Sequence, residues 1–172
     1  MTTSIYLGLG SNQNAEAHLT MAYRELTLLV GPLVASPVYR NPPIGCDGAD
    51  FLNMVVGAST SLDPQSLLDA FERIHRMAGR ERRGPGQSVW TLDIDLLMYG
   101  DVVSQQWKLP RRDLIECAFA AKPMADIAPD VTHPVTGERM ADIWSRMSQK
   151  ADALVPVEIA FTRPEPSAAV IL

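Results

Sequence analysis

Residues 51–79 read FLNMVVGASTSLDPQSLLDAFERIHRMAG, and this stretch, which predicts a strand followed by a helix, decides the fold. The first eight residues alternate, which places Phe51 and Asn53 on the same face of the predicted strand. Asp63 suits the N-cap of the following helix, and Pro64 suits its first helical position. The apolar face of that helix is formed by Leu67, Phe71, Ile74 and Ala78, with Gly79 at its end.

The flanking segments contain the same kinds of element. Their periodicity predicts strands at residues 4–9, 34–39 and 91–99, a helix at 15–29, a helical region at 113–127 interrupted at Pro123, and a final amphipathic set at 140–147. The order strand, helix, strand, strand, helix, strand is that of the split βαβ arrangement. We therefore predict an α+β fold with a ferredoxin-like βαββαβ core and additional C-terminal helices. Residues 1–150 form the predicted domain, and residues 151–172 an extended tail.

Length and composition limit the classes of protein to which this chain can belong. The 172 residues are 47% apolar and 20% charged, as expected of a globular domain with its own core. A net charge of −5 argues against general nucleic-acid binding, and no apolar run is long enough to span a bilayer. Cys46 and Cys117 are far apart in sequence and are expected to be free thiols. We expect a cytoplasmic, monomeric protein without a membrane or nucleic-acid partner.

The run Leu92-Asp93-Ile94-Asp95-Leu96-Leu97 holds the clearest candidate for chemistry. Strand geometry puts Asp93 and Asp95 on one face, with their Cα atoms about 7 Å apart. Their carboxylates can converge on a hard cation, and magnesium is the natural choice where phosphates are also present. The alternative is a half-exposed strand with two solvated carboxylates, and spacing alone does not decide between the two interpretations.

An arginine cluster precedes this strand in a chain that is acidic overall. It consists of Arg76, Arg80, Arg82 and Arg83. Guanidinium groups form forked hydrogen bonds that suit phosphate oxygens. A solvated helix end is the simpler interpretation of the cluster alone, because cations are favoured there by the helix dipole. Carboxylates that bind magnesium and arginines that bind phosphate occur together repeatedly in the active sites of phosphoryl-transfer enzymes.

An aromatic and amide group could recognise a flat heterocycle. Phe51 and Asn53 share one strand face, and the segment 41–45 (NPPIG) precedes them in the sequence. A phenylalanine ring can stack on a heterocycle while an asparagine amide bonds to its edge. Phe119 could complete a sandwich around the ring. For each of these residues taken alone, a place in the core or at a strand edge is the commoner case.

Together these residues resemble the 6-hydroxymethyl-7,8-dihydropterin pyrophosphokinase family of folate biosynthesis. The matching pieces are residues 7–12, 39–45, 51–53, 79–80, 91–97 and 127–129, in the family's order and approximate spacing. The resemblance implies a ferredoxin-like α+β fold, with ATP as co-substrate and magnesium as cofactor. It also implies transfer of the β,γ-pyrophosphate of ATP to the hydroxymethyl oxygen of the pterin, with release of AMP.

The resemblance also implies a role for each matching residue. Asp93 and Asp95 would hold two magnesium ions between the ATP phosphates. The pterin-binding residues would be Asn41, Ile44, Gly45, Phe51, Asn53 and Phe119, with the two phenylalanines on either side of the ring. The nucleotide-binding residues would be Arg80, Arg82, Arg83 and Arg111. The catalytic residues would be Asp93, Asp95 and Arg80.

The chain departs from the family's usual pattern mainly in the nucleotide half. Without a gap, Trp90 occupies the place of an arginine, and Gln87 the place of a tryptophan. The other departures are His75 for a helix glutamate, Arg111-Arg112 for a Pro-His-X segment, and Cys117 for an arginine before the aromatic residue. Two alternatives therefore stay open. One is a paralogue that uses another pterin-like alcohol or another phosphate donor, and the other is a non-catalytic pterin-binding protein.

Overall fold

The computed structural model describes residues 1–44, 48–79, 91–149 and 154–161 of the chain. These residues form a mixed α/β structure with one antiparallel sheet. In chain order the elements are β1 (Thr3–Ser11), α1 (Ala15–Val30), β2 (Val34–Ala35), β3 (Val38–Asn41), β4 (Phe51–Thr60), α2 (Pro64–Met77), β5 (Asp93–Tyr99), α3 (Asp113–Glu116), α4 (Ala118–Ile127), α5 (Met140–Ser148) and β6 (Val155–Val157).

The sheet brings together strands that are far apart in the sequence. Its order is β5-β1-β4-β3-β6, and the two-residue strand β2 also pairs with β4. All of these pairings are antiparallel. Because β1 lies between β4 and β5, the two strands predicted to carry the pterin and metal residues flank one central strand.

Helices cover both faces of the sheet. One buried cluster packs α1 and α2 against the sheet and includes Leu26, Phe71 and Ile94. A second cluster packs α3, α4 and α5 against the opposite face and includes Leu97 and Met124. Since neighbouring residues of a strand face opposite sides, Ile94 faces the α1–α2 side whereas Asp93 and Asp95 face the α3–α4 side.

The helix predicted to follow Asp63 begins as its sequence indicates. Asp63 Oδ1 accepts a hydrogen bond from the Ser66 amide at 3.0 Å, and Pro64 is the first helical residue. Gly79 follows the end of α2 with φ at +69°, a left-handed conformation that glycine adopts without strain. Strand and helix therefore follow each other here as the alternation and spacing predicted.

Two predicted elements are divided differently in the structure. The strand expected at residues 34–39 is divided into β2 and β3, because Pro37 has no N–H to donate and Ser36 bonds to Val55 through its backbone and side chain. The helical region at 113–127 is broken at Cys117, whose backbone is extended, and not at Pro123. Pro123 is buried inside α4, where the packing of Met124 and its neighbours keeps the helix continuous.

The described part of the predicted tail lies against the sheet. β6 pairs with β3, with Val155 opposite Arg40 and Val157 opposite Val38. Further along, the Phe161 ring stacks on Tyr23 of α1 with ring centroids 4.8 Å apart. No helix in the described part of the chain is both long and apolar enough to cross a membrane.

Candidate active site

A row of three residues crosses the sheet and defines the candidate site. Gly10 on β1 is the register partner of Asp93 on β5 and of Asn53 on β4. A Cβ atom at position 10 would lie only 2.6 Å from Asn53 Oδ1, which is too close for any side chain. The glycine therefore leaves an open floor between the carboxylate on one strand and the amide on the other.

One cavity joins the carboxylates to the predicted pterin residues. It is lined by Asp93, Asp95 and Asp113 on one side and by Asn53 and Phe119 on the other. Among the described residues, no group of three or more His, Cys, Asp or Glu side chains is arranged as a self-contained metal site. A pair of carboxylates suits Mg²⁺, which takes one or two of them and completes its shell with phosphate oxygens and water.

Arg111 lies beside these carboxylates and bridges two of them. Its Nη2 donates to Asp95 Oδ2 at 3.2 Å, and its Nε donates to Asp113 Oδ2 at 3.0 Å. Its backbone N–H donates to the Leu97 carbonyl of β5, which holds the chain at Arg111 next to this strand. The Arg111 side chain is 28% exposed, so its guanidinium can also reach a ligand in the cavity.

Two amide side chains are linked by a hydrogen bond on the other side of the site. Asn53, which is 8% exposed, donates from Nδ2 to Asn41 Oδ1 at 2.7 Å. Asn41 in turn donates from Nδ2 to the Pro42 carbonyl at 3.0 Å. These bonds fix the orientation of the Asn53 amide, since the nitrogen faces Asn41 and the oxygen faces Gly10. An oriented, largely buried amide can discriminate donors from acceptors on the edge of a heterocycle.

A second cavity continues from the first at Phe119. It is lined by Asn41, Pro42, Pro43, Ile44, Ala118, Phe119 and Leu154. Phe119 lies in the first turn of α4 and lines both cavities. The second cavity is largely apolar, and Ile44 at its rim is 71% exposed. A flat ring held by Asn53 would therefore have an aromatic wall and an apolar extension beside it.

Burial and charge keep two groups near the site protonated. Burial raises the pKa of the Cys117 thiol, and the charges of Asp113 and Glu116 raise it further. Burial also raises the pKa of Tyr39, whose hydroxyl donates to Asp126 Oδ2 at 2.6 Å. Cys117 thus contributes a neutral thiol beside Asp113. The hydrogen bond from Tyr39 to Asp126 links β3 to α4.

Comparison with known proteins identifies the family. The family model described as 7,8-dihydro-6-hydroxymethylpterin-pyrophosphokinase (HPPK) matches residues 6–129 of the chain. The chain belongs to this family. The HPPK match begins within β1, includes the strands through β5 and ends just after α4, so it contains both halves of the candidate site.

Curated HPPK relatives are similar over most of their length. The 2-amino-4-hydroxy-6-hydroxymethyldihydropteridine pyrophosphokinase of Methylorubrum extorquens is 38% identical over 154 residues, covering 84% of this chain and 94% of the relative. The Aquifex aeolicus enzyme of the same name is 34% identical over 139 residues, covering 77% and 84%. The sequence-based prediction of an HPPK family member is therefore confirmed.

Solved HPPK structures share the fold. The HPPK-DHPS protein of Plasmodium falciparum, crystallised with pteroate, matches with a TM-score of 0.69 and 13% sequence identity. The match covers 87% of this chain but only 46% of that chain, so this chain spans about half of the solved protein. At this level of identity, the likeness concerns the fold alone.

The structure brings together most of the residues predicted for an HPPK site. Asp93, Asp95, Asn53 and Phe119 line one cavity, Asn41, Ile44 and Phe119 line the next, and Arg111 reaches Asp95. Phe51 is not among the described residues that line either cavity. Its place in a sandwich with Phe119 stays a prediction. Gly45, Arg80, Arg82 and Arg83 lie outside the described residues, and so do Gln87 and Trp90.

Among the residues that the sequence did not predict for the site, two line its cavities and one lies behind β5. Asp113 could have been noticed, because it begins a predicted helix two residues after Arg111. Leu154 belongs to the predicted tail, and only the pairing of β6 with β3 brings it to the second cavity. The residue behind β5 is His75, which was noted only as a departure from the family pattern, although its Nε2 accepts a hydrogen bond from Ile94 of β5.

Proposed function

We propose that the protein transfers the β,γ-pyrophosphoryl group of ATP to the hydroxymethyl oxygen of 6-hydroxymethyl-7,8-dihydropterin and releases AMP, as a step of folate biosynthesis. One observation carries the proposal. In the row of Asp93, Gly10 and Asn53, a carboxylate and an oriented amide lie on either side of an open floor, which supports metal binding at the first and ring recognition at the second. An alcohol attached to a ring at Asn53 would therefore lie close to phosphates held at Asp93.

The carboxylates supply the site for the metal. Asp93 and Asp95 would hold Mg²⁺, with two ions expected from the family, and bound magnesium would neutralise charge on the ATP phosphates. The protein itself contributes by positioning the two substrates. Holding the pterin alcohol in line with the β-phosphorus of ATP removes most of the entropic cost of bringing them together. The central strand β1 fixes that geometry by pairing with both β4 and β5.

The second half of the site would hold the pterin. Asn53 would bond to the edge of the ring, with Asn41 orienting it, and Phe119 would form one wall. Phe51, Ile44 and Gly45 are the remaining proposed pterin contacts. The bond from Asn53 Nδ2 to Asn41 Oδ1 supports this assignment, because a buried amide held in one orientation is prepared for a single ligand pattern.

Positive charge for the nucleotide would come from Arg111 and from the arginines after α2. The bridge from Arg111 to Asp95 and Asp113 supports a position from which the guanidinium can reach a phosphate bound at the same carboxylates. Arg80, Arg82 and Arg83 are proposed nucleotide contacts on the family resemblance alone.

We also propose the finer architecture and domain limits. The strand order β5-β1-β4-β3 supports a ferredoxin-like βαββαβ core, in which the two strand-helix-strand units interleave. Residues 1–150 would be the catalytic domain, acting as a monomer. The segment after it would be an extension that packs on the domain through β6.

The decisive experiment follows the fate of ATP. The protein is incubated with ATP, Mg²⁺ and 6-hydroxymethyl-7,8-dihydropterin, and the nucleotide products are separated by chromatography. We expect AMP and a pterin pyrophosphate in equal amounts, and no AMP when the pterin is omitted. Release of ADP would indicate transfer of a single phosphoryl group. Pterin binding without any turnover would instead favour the non-catalytic binding protein.

A further inference from the structure

A buried histidine contacts the metal strand from the face opposite the site. His75 lies in α2 and is 4% exposed. The backbone N–H of Ile94 donates to His75 Nε2 at 2.8 Å. Ile94 stands between Asp93 and Asp95, so the imidazole binds the N–H of the Asp93–Ile94 peptide group, on the backbone between the two candidate metal ligands.

The position of β5 in the sheet explains why this bond matters. β5 is the end strand in the described sheet and pairs on one side with β1. An amide on the outer side of an end strand has no neighbouring strand to accept its hydrogen bond, and a buried amide without a partner is costly. His75 supplies an acceptor from α2 at the midpoint between the two aspartates.

The bond also fixes the chemical form of the ring. A nitrogen that accepts an N–H bond must carry its lone pair, so the neutral ring has its proton on Nδ1. That nitrogen lies 3.6 Å from Glu72 Oε1, one turn earlier on the same helix. The imidazole is thus held between a helix and a strand, and both of its nitrogens face groups that suit this tautomer.

We propose that His75 is a positioning residue that sets the position and orientation of Asp93 and Asp95 for divalent-cation binding. The proposal rests on the metal role given to these carboxylates in the proposed function. His75 touches neither metal nor substrate and acts through the Ile94 peptide. When a residue that holds a metal ligand in place through a hydrogen bond is removed, metal affinity typically falls by about 10- to 100-fold.

Two replacements separate the hydrogen bond from simple packing. His75→Gln keeps an acceptor oxygen near the position of Nε2, whereas His75→Leu fills similar space without an acceptor. Ile143→Val, at a buried residue of α5 that lines neither cavity, is the control for a small loss of core packing. Folding of each variant is checked by circular dichroism and by its thermal unfolding midpoint.

The main measurement is Mn²⁺ affinity in the presence of a non-hydrolysable ATP analogue, read by electron paramagnetic resonance. We expect His75→Leu to weaken Mn²⁺ binding by about tenfold, with His75→Gln and Ile143→Val within about threefold of the parent. A folded His75→Leu variant with parental Mn²⁺ affinity would overturn the proposal. So would equal losses in the Leu and Gln variants. A parent protein that binds no Mn²⁺ would instead refute the proposed function itself.

A second measurement needs no variant. In ¹⁵N-labelled protein, a through-hydrogen-bond coupling between the Ile94 amide nitrogen and His75 Nε2 should be detectable by NMR. The ring nitrogen shifts should also report the tautomer protonated at Nδ1. If the coupling is absent while the other sheet amides are well resolved, the bond does not exist in solution and the proposal fails, even where His75→Leu does not fold.

Discussion

Arg111 is paired with Asp95: its Nη2 donates to Asp95 Oδ2 at 3.2 Å. The protein therefore places one of its own cations on a carboxylate proposed to bind magnesium. Because both side chains are about a third exposed, water screens the pair and its strength is modest. In the proposed function the guanidinium and the metal ion would compete for the same oxygen, and Arg111 would become available to a phosphate when the ion takes its place.

Replacing Arg111 should therefore separate metal binding from turnover. In Arg111→Met without nucleotide, Mn²⁺ affinity should rise about two- to fivefold, the equivalent of losing a competing pair worth about 0.5–1 kcal/mol. AMP release should nevertheless fall by about tenfold to a hundredfold, because a donor to the phosphates is lost. Arg112→Met is the matched control, since Arg112 is 82% exposed on its side chain and pairs with Glu116. Equal effects of the two changes would contradict this prediction.

Neutralising either candidate metal ligand should abolish magnesium-dependent turnover. Asp93→Asn and Asp95→Asn each remove a charge directed at the cation, whose stabilisation of the transition state is typically several kcal/mol. Circular dichroism should show an intact fold, because both side chains are only half-buried. Asp101→Asn, on an exposed turn after β5, should retain the parental rate. Parental turnover in both site variants would mean that the carboxylates are merely solvated.

The pterin side of the site can be tested by calorimetry. Asn53→Ala should weaken binding of the dihydropterin by about tenfold or more, because a buried ring edge left without its partner costs about 1–3 kcal/mol. Asn12→Ala should have a smaller effect, since Asn12 is more exposed and its amide makes a long 3.4 Å bond to the Ala49 carbonyl. Absence of pterin binding to the parent, with or without a nucleotide analogue, would refute the pterin assignment.

The nucleotide loop yields a prediction from sequence alone. Trp90 cannot give a phosphate the forked, charged hydrogen bonds of the arginine usual at this place, and such donors are commonly worth about 2–4 kcal/mol. The double change Gln87→Trp and Trp90→Arg should therefore raise AMP release with the family substrates. Single-turnover kinetics would locate the gain in the chemical step. A fast parent that is slowed by the double change would show that this loop is a working alternative.

Stability should depend on pH through His133. Burial lowers the pKa of His133, although the nearby charge of Glu138 opposes the shift. The unfolded state therefore binds the proton more readily, so this contribution to stability is present above about pH 6.5 and is lost as the pH falls through the folded-state pKa. His133→Asn keeps an acceptor for the Thr136 amide, which bonds to Nδ1 at 3.2 Å. Urea unfolding at pH 7.5 and 5.0 should show a smaller loss in this variant. An unchanged loss would assign the effect to other groups.

The residues that could be predicted from the sequence are those determined by local spacing. Alternation predicted that Asp93 and Asp95 share one strand face, and the Asp63-Pro64 pair correctly located the start of α2. The contacts from Arg111 to Asp95 and from Ile94 to His75 could not be predicted, because they join side chains on separate elements. Leu154 reaches its cavity only through strand pairing, which has no signature in three residues of edge strand.

The strand β6 has a consequence for the solubility of the protein. β3, which carries Asn41, would otherwise present an open row of backbone groups to other molecules, and such exposed edges promote aggregation by strand addition. β6 covers this edge with only three residues, and its central residue is Pro156, opposite Tyr39. Proline has no N–H with which to extend a ladder. In the part of the chain that the structure describes, the sheet thus ends beside β3 in a strand that is too short and too poor in donors to recruit another chain.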